Sequence, residues 1–214
     1  VPVSTYEVAA NLNDYLLYTS DTATSSIIYA YDPRLNTQFV VVPNVFTASG
    51  IPSLGNTISS LGYDNQRNFL YVGFRGTTDT ILQLAMRPYD RYGPGAGTQA
   101  YTANVLTGFS VITSILTDIA VDPMTGYLYM IYGAPGSNIV KYDPMSRILL
   151  ASVSSPGVNH RGLAFGGDGI LYIATSTGVS TLFGIVDPAT LAVTPLSSVA
   201  VDYAINDMSE PLYV

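Results

Sequence analysis

Short apolar runs recur along this chain, and each carries the dipeptide Leu-Tyr: Leu17-Tyr18, Leu70-Tyr71, Leu128-Tyr129, Leu171-Tyr172 and Leu212-Tyr213. Successive leucines stand 53, 58, 43 and 41 residues apart. A repeat of that length, built of strand-sized segments, predicts a β-propeller or a related array. The polar positions between the runs repeat as well. Asn11, Asp64, Asp122 and Asn206 each lie six residues before a Leu, where such side chains start tight turns. Eight residues before the Leu stand Ala9, Gly62, Ala120 and Ala204; with one residue deleted, Ala164 takes the place in the fourth copy. Small residues there suit innermost strands that converge on a central axis.

A third strand of each unit ends in Tyr31-Asp32-Pro33, Tyr142-Asp143-Pro144 or Val186-Asp187-Pro188, with Arg87-Pro88 in the second unit. Asp followed by Pro fits the first two positions of a type I turn. Fourth, outermost strands follow at Gln38 to Val42, Ala100 to Leu106, Ile148 to Val153 and Leu191 to Val199. The expected architecture is therefore all-β, with four-stranded antiparallel blades at roughly 5–47, 54–112, 113–155 and 158–200 and an incomplete fifth at 203–214. Alternation is weak in most strands, as it is where sheets are buried on both faces. No segment shows a 3.6-residue apolar period, which predicts essentially no helix. The insertion 89–97 in the second blade is rich in Gly and Pro and reads as an exposed loop.

The pattern small–apolar–Asp-Pro-x-Thr-Gly-x-Leu-Tyr at Ala120 to Tyr129, with the turn Val186-Asp187-Pro188-Ala189-Thr190, resembles the YVTN/NHL-like bacterial β-propeller repeats. The resemblance covers nearly the whole chain and implies the fold. Its members include scaffolds, surface proteins, binding modules and some lyases or lactonases, so it assigns no activity.

Composition narrows the function classes. Charged residues make up 11%, the net charge is −7, and Lys141 is the only lysine. A nucleic-acid or anionic-membrane surface needs clustered Lys and Arg, so neither is expected. No apolar run reaches the length of a membrane span. The start at Val1 without Met reads as a processed N-terminus, and a fragment boundary reads the same. The sparse charge and a surface rich in Ser, Thr and Tyr favour an extracellular or cell-surface place, while the absence of cysteine fits the cytosol and secreted proteins alike.

Catalytic chemistry is sparse. His160 is the only histidine and there is no cysteine, so the usual zinc ligand sets are missing. Gly108-Phe109-Ser110 lacks the second glycine of a nucleophile elbow, since residue 112 is Ile. Five of the 13 aspartates, Asp32, Asp64, Asp122, Asp143 and Asp187, are accounted for as turn residues. Asp14, Asp118, Asp168 and Asp207 lie near strand starts or turns without the dense spacing of a calcium loop. The repeated tyrosines read as inter-blade packing with the hydroxyl at a wet edge. Tyr89, Tyr92 and Tyr101 around the insertion, with His160, form the candidate ligand surface. The half-unit at the C-terminus leaves closure to Val1, Val3, Tyr203, Ile205, Leu212, Tyr213 and Val214.

The expected function is thus a non-catalytic structural or interaction module without a cofactor. Its expected partner is itself, through end-strand pairing in a filament or surface layer. A carbohydrate- or protein-binding propeller is the alternative, and a lactonase- or lyase-type enzyme the third reading.

Overall fold

The computed structural model describes residues 5–21, 26–50, 57–75, 80–94, 96–107, 116–132, 138–177 and 180–196. These form a four-bladed β-propeller. The first blade contains β1 (Thr5–Asn11), β2 (Leu16–Asp21), β3 (Ile28–Asp32) and β4 (Thr37–Val42). The second contains β5 (Thr57–Asp64), β6 (Phe69–Arg75), β7 (Ile81–Met86) and β8 (Tyr101–Leu106). The third contains β9 (Leu116–Val121), β10 (Leu128–Tyr132), β11 (Asn138–Asp143) and β12 (Ile148–Ser154). The fourth contains β13 (His160–Phe165), β14 (Leu171–Ser176), β15 (Thr181–Val186) and β16 (Val193–Pro195). Each sheet is antiparallel and its strands are paired in sequence order. The expected incomplete fifth blade lies outside the described residues.

Turn chemistry explains why the chain reverses where it does. Asp32, Asp64, Asp122, Asp143 and Asp187 each accept a hydrogen bond from the backbone N–H two residues on. Four residues after the turn-starting Asn or Asp, the backbone is left-handed: Tyr15, Asn36, Asn68, Gly126, Arg147 and Leu191 all have φ between 51° and 71°. The fourth blade's first turn uses Gly166 to Gly169 instead, which absorbs the deleted residue.

Innermost strands meet in succession, β1 against β5, β5 against β9 and β9 against β13. The small residues there answer a steric need. A Cβ added at Gly62 would lie 2.9 Å from Ile119 Cγ2 and 3.2 Å from the Ile119 carbonyl oxygen on the next blade.

Among the described residues three hydrophobic cores fill the gaps between consecutive blades, and the repeated dipeptide divides itself between them. Leu70 lies in the core between blades one and two, and Tyr71 in the core between blades two and three. Leu128 and Tyr129 split likewise between the second and third cores. Adjacent strand residues point to opposite faces, so Leu faces the preceding blade and Tyr the following one. Tyr18, Tyr71 and Tyr129 are wholly buried, each burial contributing roughly 1.5–3 kcal/mol.

Two details depart from the sequence reading. The expectation of essentially no helix misses one helical turn, α1 (Val45–Ser49). The Asn44 side chain accepts hydrogen bonds from the N–H groups of Phe46 and Thr47, and Gly50 ends the helix at φ 71°. Five residues are too few for an apolar period to show. The outermost strand of blade four spans only Val193–Pro195, because Leu191 belongs to the turn and is buried there.

Candidate functional site

The insertion after β7 folds back onto blade one and is tied down. The Tyr89 ring stacks on Phe39 of β4 with centroids 5.0 Å apart, and the Tyr89 N–H donates to Asp14 Oδ2 at 3.2 Å. Arg91 forms an ion pair with Asp32 and donates from Nη2 to the Asp14 carbonyl oxygen at 2.6 Å. Asp32 is fully buried and the Arg91 side chain is 11% exposed, so this pair is largely withdrawn from water. The expected exposed loop is a strap between blades. Gln99 continues it: its Oε1 accepts from the Tyr18 hydroxyl at 2.7 Å, and its Nε2 donates to the Arg87 carbonyl oxygen at 2.7 Å.

The four candidate ligand residues do not form one surface. Tyr89 is half-buried in its stack, and Tyr101 on β8 packs against the core between blades one and two. Tyr92 alone is open, 82% exposed. His160 begins β13 in blade four and is 2% exposed. Its Nδ1 lies 2.9 Å from Thr175 Oγ1, while Nε2 is buried without a hydrogen-bond partner. Burial pushes the imidazole below its usual range, so it is neutral at physiological pH. The candidate closure residues Val1, Val3, Tyr203, Ile205, Leu212, Tyr213 and Val214 lie outside the described residues.

Tyr18, Tyr71 and Tyr129 spend their hydroxyls inside the protein rather than at a wet edge, whereas the Tyr172 hydroxyl donates to Asp168 Oδ2 at the exposed surface. Tyr71 accepts from Gln83 Nε2 at 3.3 Å, and Tyr129 donates to the Pro188 carbonyl oxygen at 3.2 Å. Burial pushes the Tyr18 phenol up to about 12 and raises those of Tyr71 and Tyr129. None is poised for proton transfer near neutrality.

Asp118 is committed to backbone. It is fully buried; its Oδ1 accepts from the Ile119 N–H at 2.7 Å and its Oδ2 from the Leu163 N–H at 2.5 Å. Among the described residues no three His, Cys, Asp or Glu side chains stand together as a metal cluster. Where the innermost strands meet there is room for little more than a water molecule, about 10 Å³. Among the described residues this space is lined by alanine, glycine and larger apolar side chains, including Ala9, Gly62, Ala120 and Leu163, with no carboxylate or imidazole.

What the surface does present is an apolar strip at the rim of blade three. Among the described residues β12 pairs only with β11, and Ile148 and Leu150 on it are 54% and 44% exposed. Met145, in the preceding turn, is 62% exposed. No charged residue or proline stands within β12; Leu150 is the extra residue of a register shift against Lys141 and Tyr142. The other rims are partly covered, although Val40 on β4 is 45% exposed. β8 is packed by α1, β4 is stacked by Tyr89 and followed by Pro43, and β16 has three residues ending in Pro195. These are familiar devices for blunting sheet edges. Sequence reading placed strand β12 but passed over its edge. The missed signal was the pair of large apolar residues Ile148 and Leu150 at alternate positions of an outermost strand.

No protein-family model matches the chain, and no curated protein matches it in sequence. Solved structures do match in shape. Hydrazine synthase of Kuenenia stuttgartiensis aligns at a TM-score of 0.58 with 12% identity, covering 90% of this chain and 49% of that one. The RRP9 WD40 repeats align at 0.59 with 9% identity, covering 91% and 51%. The extracellular domain of the one-component system BT4673 from B. thetaiotaomicron aligns at 0.55 with 16% identity, covering 92% and 23%. This chain thus spans about half the length of the first two or less of the third. At these identities the likeness establishes the propeller fold and nothing finer.

Proposed function

We propose that this chain is a non-catalytic extracellular interaction module that joins proteins through a sheet edge. The observation that carries this is the apolar rim of β12, where Met145, Ile148 and Leu150 are exposed beside a strand edge that no other described strand pairs with. An edge of this kind takes an added strand through backbone hydrogen bonds, with alternate side chains setting the choice of partner. The extracellular domain of BT4673 shares the architecture, which agrees with an extracellular place.

In its finer form the module assembles with copies of itself into a filament or layer. The described residues offer β12 for that, since it is uncharged while the chain as a whole carries −7 and repels its own kind elsewhere. The test compares the native chain with an Ile148→Lys/Leu150→Lys variant by light scattering and electron microscopy. The native chain is expected to associate and the variant to stay at 22.8 kDa. A native chain that remains monomeric overturns the self-assembling form, and equal association of both overturns the assignment to β12.

A second reading, binding of a glycan or another protein at the insertion, is favoured by the open Tyr92 ring on an anchored strap. Loss of glycan-array binding on Tyr92→Ala is its expected signature.

A further inference from the structure

Blade three uses one kind of turn twice, each time with a methionine at its tip. Asp122-Pro123-Met124-Thr125 joins β9 to β10, and Asp143-Pro144-Met145-Ser146 joins β11 to β12. The two turns are built alike. In each, the aspartate Oδ1 accepts the methionine N–H, at 2.8 Å for Met124 and 2.9 Å for Met145. In each, Oδ2 accepts the hydroxyl of the residue after the methionine at 2.6 Å. The backbone is thereby fixed and the thioether is left in solvent: Met124 is 79% exposed and Met145 62%. Asp32, Asp64 and Asp187 are followed at the same place by Arg34, Gln66 and Ala189.

The methionines within strands are sealed in the cores, Met86 at 5% exposure and Met130 at 0%. The chain has no cysteine, so thioethers carry its sulfur. An oxidant dissolved in water must touch the sulfur to react, which favours the two turn methionines over the two core ones.

Position then separates the exposed pair. Met145 stands three residues before Ile148 and heads the apolar strip of β12. Met124 lies on the turn of the innermost strand, which Gln66 and Arg67 of blade two clasp through the carbonyl oxygens of Pro123 and Thr125. β12 and β9 are opposite edges of one sheet, three strand spacings or on the order of 14 Å apart.

We propose that Met145 is an oxidation switch on the β12 rim, which a peroxide turns off. The switch rests on β12 being a docking edge. The thioether sulfur attacks the peroxide O–O bond and takes one oxygen, losing two electrons as the bond breaks. The departing hydroxide collects the proton from the transferred oxygen and leaves as water, so methionine becomes its sulfoxide. Met145 then carries a polar S=O group at the head of a strip that works by being apolar. A partner that covers it buries an acceptor without a donor.

Two variants isolate the exposed sulfurs. Met208 lies outside the described residues and is replaced by Leu in both. Met124→Leu/Met208→Leu keeps Met145, and Met145→Leu/Met208→Leu keeps Met124. Each is treated with hydrogen peroxide, its sulfoxides are mapped by peptide mass spectrometry, and its association is read by light scattering against its own untreated sample. Met124 and Met145 are expected to oxidise at least about tenfold faster than Met86 and Met130. Treatment is expected to weaken association roughly tenfold where Met145 is kept and to leave it at the untreated level where Met145 is replaced. Oxidation of Met145 no faster than that of Met130 overturns the site. An equal loss in both variants overturns the assignment to Met145. A chain that associates before treatment, and equally after full conversion of Met145, overturns the switch and leaves the reading of β12 standing. A native chain that is monomeric before treatment overturns the self-assembling reading of β12 and the switch with it.

Discussion

Asp118 on β9 accepts the backbone N–H of Leu163 on β13 at 2.5 Å, a hydrogen bond carried across a blade boundary by a fully buried carboxylate. Blades in a propeller share faces rather than strand edges, so their innermost backbones are not joined by sheet pairing. Asp118 supplies such a link between blades three and four. Replacing it by Ala strands the N–H groups of Leu163 and Ile119 in an apolar setting, at about 1–3 kcal/mol for each unpaired group. Asp118→Ala is expected to lower stability by about 2–4 kcal/mol and Asp118→Asn by less, measured as the shift in urea midpoint. A shift under about 0.5 kcal/mol for Asp118→Ala contradicts this account.

The strap is held by Arg91 against Asp32. Arg91→Met removes the charge that neutralises a buried carboxylate, and breaking such a pair from one side is far costlier than its net worth. A loss of about 2–3 kcal/mol is expected, allowing for the partial exposure of the arginine. Limited proteolysis is expected to cut within 89–97 in the variant and to spare it in the native chain.

His160 ties stability to pH in a known direction. Burial lowers its folded pKa below the unfolded value of about 6.5. Above that value the imidazole is neutral in both states and has no effect. As pH falls below about 6.5 the unfolded chain takes up the proton first, so stability declines until the folded pKa is reached and then levels off for this group. Thermal unfolding between pH 7 and pH 5 is expected to show this loss in the native chain. A His160→Gln variant is expected to lose the slope while keeping a hydrogen bond to Thr175. An unchanged slope in that variant assigns the effect to other groups.

Arg147 sits in the turn between β11 and β12 at φ 60°, a left-handed conformation that costs an ordinary L-residue roughly 1–2 kcal/mol. Glycine adopts it freely but loses more chain entropy on folding, by roughly 0.5–1 kcal/mol. Because the Arg147 side chain is exposed, Arg147→Gly is expected to stabilise by about 0.5–1 kcal/mol, seen as a raised melting temperature. Gly126→Ala, at φ 71° in the corresponding turn of the same blade, is expected to do the opposite.

The repeat was legible because it is written in local chemistry. Aspartates that bond their own backbone and small residues two positions before them mark the same places in each unit, whatever lies around them. Those signals gave the blades and their strand order. The ligand surface was not legible in the same way. Tyr89, Tyr92 and Tyr101 are near one another in sequence, yet one stacks on Phe39, one is open and one lines a core. Nothing local distinguishes them, since the deciding contacts come from residues some 50 positions away on blade one. His160 likewise gave no sign of its burial, which follows from the packing of its strand in blade four.

By itself, then, the sequence determined an all-β propeller of repeating four-stranded units, because turn formation and strand patterning act over a few residues. Only the tertiary structure decided that Leu and Tyr of one dipeptide serve different cores, that an insertion is a strap, and that β12 is the open rim. Each of those depends on which blade faces which side chain, and that is settled when the sheets pack around the axis.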